Sequence, residues 1–330
     1  MENTAGSLAV KLPWQDEQWQ RLEALRQSDK LPHAILLAGP AGVGKRRFAK
    51  AFAEYLICES PDSGVACGTC RQCGFILAGS HPDFKWLAPE EKSRQIKIDQ
   101  IRELVDSLAQ TSQQGGIKVA TISPAEMMNT NAANALLKCL EEPSPNTLLL
   151  LLADAPNQLL PTIRSRCQII KFPLPPQEVS LVWLATMTSS QTPVEELLLE
   201  AAGQPISVLE LLQSDGLERR QQFNEDFLGM LEYKIPAIVV AEKWLAHDLT
   251  ELLEWLARKL GRLIKCHMGG AAVATDHRWL SVVPASKVKG VFVLLDEVNA
   301  LLVRLNRGAN PNRQLALEAL LLNSCERLRG

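Results

Sequence analysis

Two groups of residues in this sequence are spaced for chemistry. The first lies in His33–Arg47, where an apolar run breaks into Gly39, four residues, Gly44 and Lys45, with Gly42 inside the loop and Phe48, Phe52 and Leu56 following at helical spacing. A strand that turns through glycines into a helix lets backbone N–H groups wrap a phosphate at the helix N-terminus, with the lysine reaching the outer phosphates. The next position of such a P-loop carries a Ser or Thr whose hydroxyl holds magnesium, and here it is Arg46. The cradle is kept and its metal ligand is missing, which leaves ATP binding open.

The second group is Cys58, Cys67, Cys70 and Cys73. Four thiolates at this spacing close a tetrahedron around zinc, with Gly68 and Gly74 easing the turns between them. The set implies no histidine, carboxylate or open coordination position, so the zinc is structural. Cys139, Cys167, Cys266 and Cys325 are scattered singly and read as packing residues. His81-Pro82-Asp83 reads as a turn before a strand and not as a metal or catalytic site.

These groups need a scaffold, and the pattern supplies one. Apolar strands at 84–87, 118–122, 148–152 and 168–172, together with the one before Gly39, alternate with amphipathic helices at 14–28, 96–110 (capped near Asp99) and 131–142. Such alternation predicts an α/β unit, a mostly parallel sheet with helices on both faces. The strand 118–122 ends on Ser123, Pro124 and Ala125, where a P-loop ATPase places its metal-binding Asp and catalytic Glu; Glu126 lies past that end, at a helix start. Pro173, Pro175 and Pro176 mark a hinge into short helices up to about Leu212, and long leucine-rich helices follow at about 218–233, 235–247, 249–267, 287–306 and 313–329. Leucines recurring at helical spacing make a bundle core, so this all-α part reads as an assembly region.

With 35 basic and 37 acidic residues there is no global field to attract nucleic acid, so any DNA contact is local or made through partners. The sequence has neither an uninterrupted apolar span nor a signal-peptide pattern, which predicts a cytoplasmic protein with no membrane role.

The P-loop, the four-cysteine module after its helix, Asn134-Ala-Leu-Leu-Lys-Cys-Leu-Glu-Glu-Pro143 and Ser165-Arg166-Cys167 resemble, in that order, the bacterial DNA polymerase III clamp-loader subunits of the AAA+ ATPase family. The likeness extends to Asn312–Leu322, similar to a last collar helix. It implies an AAA+ P-loop domain over 1–172 with the zinc module at 58–73 inserted, a small helical lid over 173–212 and a collar over 213–330. Active family members carry a complete P-loop, an Asp-Glu pair after the second strand of the core and a sensor arginine in the lid. Here those positions hold Arg46, Ser123 with Pro124, and an arginine-free Gly203–Ser207, while Ser-Arg-Cys is intact.

The resemblance therefore implies a non-hydrolysing stator that lends Arg166 to a neighbour's site as an arginine finger. Its partners would be the gamma/tau and delta subunits in a five-membered ring, and, through the ring, the sliding clamp and primer-template DNA during replication. The chain would be no enzyme on its own. The competing reading is an active gamma/tau-like motor in which Glu126 and Lys45 manage with water-coordinated magnesium. A free zinc-ribbon nucleic-acid binder is disfavoured by the charge balance and by the lack of a basic, aromatic-interleaved stretch.

Overall fold

The computed structural model describes residues 8–90, 93, 95–189, 192–270, 272–306 and 308–329; the outer ends of the expected first and last domains, 1–7 and 330, lie outside them. The chain falls into two compact units, Met1–Trp183 and Leu184–Gly330.

The first unit opens with a 3-10 turn, Pro13–Gln15, and α1 (Asp16–Gln27), followed by β1 (Ala34–Ala38), α2 (Lys45–Ile57), α3 (Arg71–Leu77), β2 (Phe84–Leu87), α4 (Ile98–Ala109), β3 (Lys118–Ile122), α5 (Thr130–Glu141), β4 (Thr147–Ala153), the single turn α6 (Pro161–Arg164), β5 (Gln168–Lys171) and the start of α7 (Gln177–Met187). The five strands run in the order β2-β3-β4-β1-β5 and all pair in parallel. Parallel strands need crossovers, and the crossovers cover both faces, so β1, β3 and β4 are buried at every position. Alternate residues divide between two cores. Ile35, Leu37, Leu148 and Leu150 meet Phe48 and Phe52 of α2 on one face, while Leu36, Leu149 and Leu151 meet Ile101 and Leu136 of α4 and α5 on the other.

Helix α4 starts two residues later than its pattern suggests, and its cap is not Asp99. Gln100 Oε1 accepts the N–H of Lys97, the residue before the helix, while Asp99 pairs with Arg102 at 3.3 Å. At its other end the buried Lys118 Nζ donates to the carbonyls of Leu108 and Gln110 at 2.5 and 2.7 Å, the work of a cation at a helix C-terminus.

The second unit holds α8 (Val194–Glu200), α9 (Pro205–Gln213), α10 (Gly216–Leu231), α11 (Ala237–Trp244), α12 (Leu249–His267), α13 (Ala274–Val282), α14 (Val288–Asn306) and α15 (Arg313–Leu328). Helix α12 packs along α14, and α15 packs against both α11 and α14. Phe223, Phe227, Trp244, Trp255 and Trp279 form one aromatic cluster in this core. Helix α13 is absent from the pattern-based reading because its first turn carries no apolar period. Asp276 secures it instead, accepting the N–H of Val273 at 3.0 Å and an ion pair from Arg262 at 2.7 Å. Among the described residues no helix is long and apolar enough to cross a membrane.

One buried carboxyl ties the start of the chain to the P-loop helix. Glu54 of α2 is fully buried, and its Oε2 accepts the N–H of Ala9 at 2.6 Å. Burial raises its pKa from 4.5 to about 7, against the weaker pull of the Ala9 N–H and Lys50. A raised pKa means the folded chain holds this proton more tightly than the unfolded one. The contribution is therefore complete below about 4.5 and is lost as pH rises through about 7, a change of about 3 kcal/mol. Urea unfolding at about pH 5 and about pH 8 should show this loss in the wild type, and Glu54→Gln should remove most of it.

Candidate functional site

The P-loop leaves the carboxyl edge of the sheet between β1 and α2. Gly39 is required there by packing, since a Cβ on it would sit 2.0 Å from the Phe172 carbonyl oxygen beyond β5. Gly44 has φ +85°, and its Cβ would meet Leu12 at 2.3 Å. The turn before α1 braces the loop from outside. Gln15 Nε2 donates to the Val43 and Gly44 carbonyls, each at 3.1 Å, and Trp14 Nε1 donates to Val43 at 3.0 Å.

Lys45 sits inside this loop with its side chain 4% exposed. Its Nζ donates to the carbonyls of Gly39 and Pro40, both at 2.6 Å, and pairs with Asp154 Oδ1 at 2.5 Å. Arg46, at the magnesium-ligand position, is exposed and lies over the Trp86 ring, 5.9 Å from its centroid. Ser123 is buried at the end of β3, and the backbone passes through Pro124 into a 3-10 turn, Ala125–Met127.

Glu126 is tied to the backbone through one of its oxygens, while the other, Oε2, is buried without a hydrogen-bond partner among the described residues. Its Oε1 accepts the N–H groups of Asp154 and Ala155 at 2.7 and 2.8 Å, which pins the chain just past β4. Burial raises its pKa, those N–H donors oppose the rise, and the nearby Asp154 adds to it. Sequence reasoning missed Asp154 altogether. The only available signal was an acid directly after an all-apolar strand next to a P-loop strand.

Arg166 lies on the same unit, past α6. One terminal nitrogen pairs with Glu141 at 2.6 Å and the other donates to the Thr162 carbonyl at 3.0 Å, with the side chain 36% exposed. The fold thus brings Arg166 to the C-terminus of α5 and leaves it partly open to solvent.

The four cysteines come together. Cys58 follows α2, and Cys70 caps α3 by accepting the Cys73 N–H. Their sulfurs all lie within 4.8 Å of one another, with Cys58–Cys70 at 3.9 Å and Cys67–Cys73 at 4.0 Å. A tetrahedral site with ~2.3 Å metal–sulfur bonds has sulfurs ~3.8 Å apart, whereas a disulfide needs ~2.05 Å. This geometry can hold a metal ion and is no disulfide. Backbone N–H groups of Cys67, Cys70 and Cys73 point at the sulfurs of Cys58, Cys67 and Cys70 at 3.2, 3.3 and 3.4 Å, which favours thiolates. The Ser60 hydroxyl, then Thr69 and the Cys70 N–H, lower Cys67 to about 5, while burial raises Cys58 and Cys73.

His81 stays outside this set. Its Nδ1 accepts the Asp83 N–H at 3.1 Å, which leaves Nε2 to donate to Gln72 Oε1 at 3.0 Å. It is a neutral turn residue joining α3 to β2, and burial lowers its pKa.

Comparison with known proteins decides the family. Residues 14–176 match the family described as "DNA polymerase III, delta subunit", and residues 214–325 match "DNA polymerase III, delta subunit, C terminal". DNA polymerase III subunit delta' of Pseudomonas aeruginosa is 38% identical over 94% of this chain and 96% of its own length. The chain belongs to the delta' subunits of DNA polymerase III. The delta' subunit of Escherichia coli K12 is 34% identical over 79% of this chain and 78% of its own. In this delta' chain the parallel sheet carries a loop of P-loop spacing followed by Arg46, and β3 runs into Ser123 and Pro124.

Elemental analysis of protein purified without chelator should find one sulfur-liganded metal ion per chain. Cys67→Ser or Cys70→Ser should lose the ion and loosen residues 58–73 to proteolysis, while the unfolding transition of the main sheet survives. Besides its cysteines, the module's small core has only Ala66, with Leu8 packed against it from outside, so a bound ion would supply most of its order.

Proposed function

We propose that this delta' chain is a non-hydrolysing stator of the DNA polymerase III clamp loader and helps load the sliding clamp onto primed DNA. The observation that carries this reading is the occupation of every hydrolytic position by an unsuitable group. Arg46 is turned to Trp86, Ser123 and Pro124 replace the acidic pair, and Glu126 is bonded to the backbone of residues 154 and 155. Hydrolysis needs magnesium on the outer phosphates and a group that orients water, and these residues provide neither. The gamma/tau-like motor has less support, because one oxygen of Glu126 already accepts two N–H groups and the other is buried away from solvent.

In this reading the four cysteines hold structural zinc, the metal that four-thiolate tetrahedral sites suit. Residues 1–172 form the AAA+ domain, 173–212 the lid and 213–330 the collar, which joins gamma/tau and delta subunits in a cytoplasmic hetero-oligomeric ring. Through the ring the chain meets the clamp and primer-template DNA.

Arg166 is the functional residue, acting in trans. A guanidinium is permanently charged and forked to match two phosphate oxygens, and this chain's own loop has no hydrolytic use for it. Its pair with Glu141 is half-exposed and so easily exchanged for a neighbour's phosphate. Arginine fingers contribute ~10³ to 10⁵ in rate, but only one interface of a multi-site ring would lose its finger here. Arg166→Ala is expected to leave folding, metal content and ring assembly intact while lowering the clamp- and DNA-stimulated ATPase of the reconstituted complex, and Arg166→Lys should not fully restore it. Wild-type loading by an assembled alanine variant would reduce Arg166 to the surface partner of Glu141.

A further inference from the structure

We propose that Asp154 is a built-in competitor for the phosphate subsite of the P-loop, so that this loop takes up the triphosphate of a nucleotide only when the Asp154 carboxylate is removed. An ammonium has three N–H donors. In Lys45 all three have acceptors within the chain: the Gly39 carbonyl, the Pro40 carbonyl and Asp154 Oδ1. A phosphate in such a loop is held partly by this lysine. The anionic oxygen that Lys45 touches here belongs to Asp154.

The carboxylate is delivered to that place by the fold. Ala38 of β1 pairs with Ala153 of β4, and the Gly39 N–H donates to the Ala153 carbonyl at 3.2 Å, so the P-loop and Asp154 leave the sheet side by side. Glu126 then fixes the Asp154 backbone through the N–H groups of residues 154 and 155. The anchor on Lys45's side is just as firm, since that side chain is buried in the loop while Asp154 keeps 43% exposure. An incoming triphosphate has to break this pair and then stay beside a negative charge. Both effects oppose binding, and both vanish when the carboxylate is neutralised in place.

Residues 39–45 must act as a phosphate loop for this to hold, whereas Arg166 takes no part in it. Nucleotide binding by the isolated chain and hydrolysis by the assembled complex therefore fail separately. The test is calorimetric titration of the full chain with ATP and magnesium. Asp154→Asn keeps the shape and removes the charge, and Asp154→Ala removes both the charge and the acceptor; thermal unfolding of each confirms a folded sample. Both variants should bind ATP at least about ten-fold more tightly than the wild type, and adding Lys45→Ala to either should abolish the gain. Wild-type protein that binds as tightly as the variants, variants that gain nothing, or a gain that survives Lys45→Ala would each overturn the proposal.

Discussion

The pairing of β1 with β4 is the constraint on which the rest of the site depends. Both strands are buried at every position, and their register from Ala34↔Leu149 to Ala38↔Ala153 is set by which residues face α2 and which face α4 and α5. A slip of one residue would turn each apolar set to the opposite face. Because the strands are parallel, their carboxyl ends leave the sheet at one edge, where open α/β sheets bind ligands. That edge gathers the P-loop, Asp154 and the turn bearing Glu126. The same register that builds the core thereby aims an acid at the P-loop lysine.

The strands and most helices were legible in the sequence, since five apolar runs alternating with 3.6-residue periods leave few other folds. The four-cysteine module was legible too, because thiolate spacing constrains geometry locally. Helix α13 was not: its first turn is polar and is held by Asp276 with Arg262, while only its later part, through Trp279, enters the apolar core. The cap of α4 was misplaced for a related reason. Asp99 is the better capping residue by type, yet the backbone at Lys97 is extended and Gln100 reaches back to it. Asp154 and the bracing role of Glu126 depend on which loops the sheet brings together, and a one-dimensional pattern does not carry that information.

The glycines and lysine of P-loop spacing have structural uses in this fold. Gly39 is needed for the approach of the Phe172 carbonyl and Gly44 for its left-handed backbone beside Leu12, so both have reasons to persist without a nucleotide. Lys45 likewise has a structural use, tying the loop to itself and to the end of β4. Glycines and a lysine at P-loop spacing thus report the loop, and the groups around them decide its chemistry.

The central claim is that this chain does not turn over ATP itself. Its most direct test is the steady-state rate of phosphate release by the purified chain with ATP and magnesium, measured beside a Lys45→Ala control purified in the same way. The expected result is no rate above that control, and an Arg46→Thr variant should be equally silent, since Ser123 and Pro124 still lack the acidic pair. A wild-type turnover that disappears in Lys45→Ala would contradict the account and make this subunit a motor.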